Sequence, residues 1–151
     1  MNPIDSVAGF VCWNVAFAEA RSPSVSLITE QGEQGTDTAT LVVCPHGIDQ
    51  YPKYLVRFNK VLAALCYEES LALERGYPRC SDTHASGCAY LWADSPWLRA
   101  SHGWAVDFLQ WSDLKHYLIF GGDTIVEILA AGGSNVERIE KRTVIETKHE
   151  I

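Results

Sequence analysis

An α+β fold, a single domain built on a mostly antiparallel sheet with one to three short helices, is the class this sequence predicts. Three observations carry the expectation. Short runs of alternating apolar and polar residues succeed one another along the chain, turn-forming clusters join them, and the strand–helix alternation that builds a parallel sheet is missing. The 151-residue length suits one domain, because a chain of about 150 residues buries roughly two thirds of its unfolded surface. Residues 1–145 are expected to form that domain, with 146–151 as a frayed tail.

From Val11 to Phe17 the large residues fall on odd positions, as in a strand with one heavily buried face. Ser22-Pro23-Ser24 breaks the run and Val25–Thr29 alternates again, so a hairpin is the simple assignment. Gln31–Thr38 reads as a loop, Ala39–Val43 as a third strand, and Cys44-Pro45-His46-Gly47 as a turn. Lys53–Gly76 carries two patterns at once. Tyr54, Val56 and Phe58 alternate as in a strand, while Leu55, Phe58, Leu62, Leu65 and Leu73 trace much of a helical stripe. The strand, from Lys53 to about Cys66 and followed by a short helical turn, is the reading adopted.

Tyr77–Gly87 has loop composition, and Cys88–Trp92 reads as a short strand. Ser95 and Pro96 have the chemistry of an N-cap and a first helical residue, and Gly103 is expected to end that helix. His116–Phe120 and Thr124–Leu129 are strand-like, joined by Gly121-Gly122-Asp123, whose glycines can supply the positive φ angles of a tight hairpin. Ala130–Asn135 then reads as a Gly-rich turn, and Val136–Ile145 as an added edge strand.

Composition removes several function classes. With 47% hydrophobic and 21% charged residues, the chain has the material for a packed core. The 19 acids against 12 bases are spread evenly and leave a net charge of −7. No basic stripe exists to neutralise phosphates, and Lys141-Arg142 is flanked by Glu140 and Glu146, so nucleic acid is not an expected partner. The longest near-apolar run, Val7–Ala18, is interrupted by Asn14 and falls short of the about 20 residues a membrane helix needs. Met1–Asp5 lacks the basic start of a signal peptide, and the five cysteines are odd in number and irregularly spaced. A cytoplasmic protein with free thiols and no cofactor is therefore expected.

Candidate chemistry is sparse. Cys80, His84 and Cys88, with Asp82 between them, could offer zinc its donors, but the seven-residue gap between the cysteines matches no usual ligand pair. Cys44 and His46 are close in sequence, yet Pro45 separates them, and no family signature surrounds any cysteine. The glycine pairs at 121–122 and 132–133 lack the spacing and lysine of a phosphate loop. His116, opening an apolar run, reads as a core or rim histidine bonded to backbone. Four of the five tryptophans crowd into Trp92–Trp111, and aromatic residues are enriched at binding hot spots.

The chain accordingly reads as a binding protein more readily than as an enzyme. Trp97, Trp104 and Trp111 are the candidate anchors; Asp94, Asp107, Asp113, Glu30, Glu33 and Asp37 are the candidate steering charges. The alternative is a small enzyme or zinc protein using the Cys80/His84/Cys88 loop or His116.

Two stretches add a resemblance. Tyr51–Phe58 with Val61–Ala63 and Glu68-Glu69, and Ser95–Leu98 followed by His116–Asp123 and Ile125–Ala130, resemble a loose group of small bacterial proteins. Some of that group look like immunity proteins of contact-dependent or polymorphic toxin systems. The resemblance implies an α+β fold with an antiparallel sheet, and the net charge of −7 would suit a basic toxin as the protein partner. The resemblance carries over no catalytic residue.

Overall fold

The computed structural model describes residues 10–31, 37–71, 87–105 and 113–141. Seven strands and one helix follow in chain order: β1 (Phe10–Cys12), β2 (Ser24–Glu30), β3 (Asp37–Cys44), β4 (Lys53–Glu68), β5 (Ala89–Trp92), α1 (Pro96–Ala105), β6 (Leu114–Phe120) and β7 (Thr124–Ile139). They form one sheet in the order β1-β5-β6-β7-β4-β3-β2, and every pairing is antiparallel. The mostly antiparallel sheet is as expected, with α1 and a short 3₁₀ turn at residues 69–71 as the helical content among the described residues.

β4 and β7 make the spine. Each has 16 residues, and they pair from Lys53–Ile139 at one end to Glu68–Thr124 at the other. Strands this long rise about 3.3 Å per residue and could not enclose a small core if straight. Two register shifts bend the ribbon, and Gly132 and Gly133, at φ +80° and +82°, sit opposite the first of them. The expected turn at 130–135 is therefore a bulge within one continuous strand. The edge strand expected after it is the far half of β7, which over Ser134–Ile139 pairs with β4 on one side, while β6 stops opposite Ala131; residues 142–145 lie outside the described ones.

The bent sheet folds its inner face onto itself. Leu41, Val43, Val56 and Phe58 from one half and Tyr117, Ile119, Val126 and Ile128 from the other share one core, with Phe58 and Tyr117 rings 4.8 Å apart. The chain just before β2 meets the β6–β7 turn, where the Gly122 N–H donates to the Pro23 carbonyl at 2.9 Å.

Residues 13–20 depart from the expected strand. β1 ends at Cys12 and pairs with β5, so there is no β1–β2 hairpin. Trp13 and Phe17 instead pack under the sheet, in a chain of turns closed by bonds such as Ala18 N–H to Val15 O at 2.9 Å. Burial against Phe58 and Tyr117 overrides the local alternation.

Two glycine readings also change. α1 runs past Gly103 to Ala105. The 121–123 turn has no positive φ; a Cβ on Gly121 would lie 2.9 Å from the Thr124 carbonyl oxygen and 3.1 Å from that of Pro23, so close backbone approach is what requires glycine there.

Candidate functional site

On β6, His116, Leu118 and Phe120 face away from the core that Tyr117 and Ile119 enter. His116 is paired with Leu129 of β7, which puts Glu127 diagonally across from it on the same face. Leu65 of β4 is paired with Glu127 from the other side, and Tyr67 is again one diagonal away. Diagonal neighbours lie within reach of long side chains, and here both reach. His116 Nε2 is 2.8 Å from Glu127 Oε1, and the Tyr67 hydroxyl donates to Glu127 Oε2 at 2.6 Å.

The chain between β5 and β6 supplies the fourth member. Ser95 caps α1, accepting the Leu98 N–H on its Oγ at 3.0 Å, and the same oxygen lies 2.6 Å from His116 Nδ1. A line of polar groups thus runs Ser95–His116–Glu127–Tyr67 across α1, β6, β7 and β4. Trp92 stacks on the imidazole at 5.4 Å and Trp97 meets it edge-on at 5.2 Å. Water is shut out: Ser95 and Glu127 are 0% exposed and His116 1%.

The Ser95 oxygen accepts the Leu98 N–H and still has a proton to give and a second lone pair to offer, so it can meet His116 Nδ1 in either tautomer. His116 Nε2 faces the Glu127 carboxylate at 2.8 Å. The carboxylate receives two donors, one on each oxygen, and no buried side-chain polar atom among the described residues lacks a partner. Burial of a carboxylate is costly unless hydrogen-bonded in this way. A hydroxyl, an imidazole and a carboxylate in series also form the arrangement that activates nucleophiles. Ser95, however, is sealed from solvent and committed to the helix start, so the array fixes α1 onto the sheet.

Beside His116 lies a pocket of about 260 Å³ whose walls include Val11, Leu91, Trp92, Leu98 and Leu114, with the Lys115 side chain also lining it. Its lining is largely apolar, and Val11, on the edge strand β1, is 51% exposed.

The residues singled out from sequence separate into two groups. Asp94 and Asp113 are both exposed and adjoin the pocket-lining Ala93 and Leu114 in the chain; Asp94 pairs with Arg99 at 3.3 Å. Trp97 is half-buried against His116. Glu30 and Asp37 are exposed at the β2–β3 end, on the opposite side of the sheet. Trp104 is in the last turns of α1, with its side chain outside the described ones. Glu33, Asp107, Trp111, Cys80 and His84 lie outside the described residues.

Cys88 is buried with its thiol donating to the Phe17 carbonyl, and burial pushes its pKa up to about 11. Burial likewise raises Cys44, partly offset by the nearby Lys53 ammonium. No group of three or more potential metal ligands occurs among the described residues. His116 bonds side chains, not the backbone partner expected for it. Glu127 and Tyr67 were not singled out at all. The signal for Glu127 was a lone acid inside the run Ile125-Val126-Glu127-Ile128-Leu129, where a carboxylate flanked by apolar residues sits in a strand covered on both faces.

No family model matches the chain, and no curated protein or solved structure does.

Proposed function

We propose that the protein acts by binding another protein, neutralising it by direct contact in the manner of an immunity protein, and that the contact forms where β1, β5, β6 and the start of α1 meet. The observation that carries this reading is the apolar pocket beside His116, with the exposed Val11 at its wall and the exposed acids Asp94 and Asp113 adjoining it in the chain. Its volume suits one apolar side chain of a partner, and burying such a side chain contributes about 1.5–3 kcal/mol. The buried Ser95–His116–Glu127 line gives the pocket a rigid wall, which lowers the ordering cost of binding. The net charge of −7 favours a basic partner and speeds its approach.

The test is capture of the partner from the native host, then binding kinetics at two salt concentrations. Asp113→Lys should slow association, and more so at low salt. Val11→Asp should instead speed dissociation by placing a charge against the apolar wall.

A second reading, a small enzyme centred on His116, is favoured by the hydroxyl–imidazole–carboxylate series next to a pocket. If no partner is captured and the purified protein turns over a small molecule that a His116→Ala variant does not, this second reading replaces the first.

A further inference from the structure

The edges of the sheet differ in a way that points to a second interaction, independent of the pocket. β1 at one edge has three residues, whereas β2 at the other has seven in unbroken register with β3, from Ser24–Cys44 to Glu30–Thr38. Long regular edges pair with other strands unless guarded, and the usual guards are lysine, proline, a bulge or inward-pointing charge. β2 has none of these: Ser24-Val25-Ser26-Leu27-Ile28-Thr29-Glu30 carries a single charge, at its end. Among the described residues it pairs with β3 alone. Ile28 stands 53% exposed on the outer face. On the inner face Val25 and Leu27 are only partly buried, although their partners Val43 and Leu41 are fully buried, so the core ends unfinished at this strand.

We propose that β2 pairs antiparallel with β2 of a second copy of this chain, making one continuous fourteen-stranded sheet. Symmetry selects the register. Two identical antiparallel strands side by side are related by a two-fold axis perpendicular to the sheet, which keeps the inner faces of both copies on the same side. The register centred on Leu27 is the one that pairs all seven residues, forming about six to eight main-chain hydrogen bonds. It sets Leu27 against Leu27 of the second copy, Val25 against Thr29, Ser26 against Ile28, and Glu30 against Ser24. The two unfinished cores then meet at Leu27, and the two glutamates fall against serines, so like charges are not opposed. The pocket beside His116 stays free, because β5 and β6 lie toward the other edge.

The test uses the full chain and two paired variants at the exposed outer-face positions, with mass measured by light scattering and by sedimentation from micromolar to millimolar concentration. The unchanged protein should be a dimer. Ser26→Lys/Ile28→Lys opposes two pairs of ammonium groups and should give monomer, with the far-ultraviolet circular dichroism of the parent. Ser26→Lys/Ile28→Glu opposes lysine and glutamate and should remain dimeric. A parent that is monomeric throughout the range overturns the proposal. So does a dimer that the double-lysine variant leaves intact, or one that both variants disrupt equally. None of these outcomes bears on partner capture at the pocket.

Discussion

Replacing the two central members of the buried line, singly and together, distinguishes a neutral imidazole hydrogen-bonded to a carboxylate from a buried ion pair. His116→Phe keeps a ring between Trp92 and Trp97 but leaves the Glu127 carboxylate, 0% exposed, with the Tyr67 hydroxyl as the remaining donor on this line. Removing one partner of a buried charge in this way costs about 3–5 kcal/mol. Glu127→Leu instead leaves His116 Nε2 without its partner, which costs about 1–3 kcal/mol for a neutral donor and as much as the first variant for an imidazolium. Tyr67 adds little to that figure because its half-buried hydroxyl can turn to water. The double variant has neither the charge nor the imidazole, and apolar replacement of a buried polar pair is often close to neutral. It should therefore be more stable than His116→Phe alone by at least about 1 kcal/mol, the reverse of additivity. Urea unfolding followed by tryptophan fluorescence and circular dichroism reads all three midpoints. Equal costs for the two single variants would show that each deletion orphans a charge, and the histidine would then be an imidazolium. Additive costs would show that the two groups do not act together.

Three further outcomes follow from the geometry. Gly121→Ala should lower stability by about 1–3 kcal/mol, because its Cβ would press on two backbone oxygens, while Gly122→Ala, with 3.6 Å of clearance, should change it by less than about 0.5 kcal/mol; thermal melts of both check this. In the native protein Cys66, which is exposed, should react with a thiol reagent well before the buried Cys44 and Cys88, as mass spectrometry of timed samples would show. Stability should also fall in alkali. The folded chain holds the Cys88 proton more tightly than the unfolded one, so its contribution is complete below pH 9.0 and is lost as pH rises toward about 11. Denaturation midpoints across that window should drop less in a Cys88→Ala variant than in the parent.

What was legible in the sequence was what neighbouring residues decide. β2, β3 and most of β4 show as alternation, the turn at Cys44–Gly47 shows in its proline and glycine, and Ser95-Pro96 marks the start of α1. Over its described residues the 53–76 ambiguity resolved as a strand to Glu68, because Tyr54, Val56 and Phe58 meet a core supplied from across the sheet, while Leu65 of the competing helical stripe is 37% exposed. The failures share a cause. Trp13 to Phe17 alternates but folds in turns because the space beneath Phe58 and Tyr117 needs filling, and Gly132-Gly133 looks like a turn but bends a strand that stays paired with β4 before and after it. Glu127 could not be joined to His116 and Tyr67 without knowing that β7 lies between β6 and β4. The half of the site that is a helix cap was visible, and the half that depends on strand order was not.

The β4–β7 spine also sets the order in which the chain can fold during synthesis. Its two strands are joined across most of the molecule's length, Glu68 to Thr124 and Lys53 to Ile139, so the centre of the sheet is its last described strand to leave the ribosome. Until then β2, β3 and β4 can pair with one another, and β5 with β6 and β1, but β4 and β6 each keep an open hydrogen-bonding edge. Pairings this distant in sequence form slowly, on the scale of about milliseconds to seconds. Through that interval the long edge of β4 stays exposed to other nascent chains.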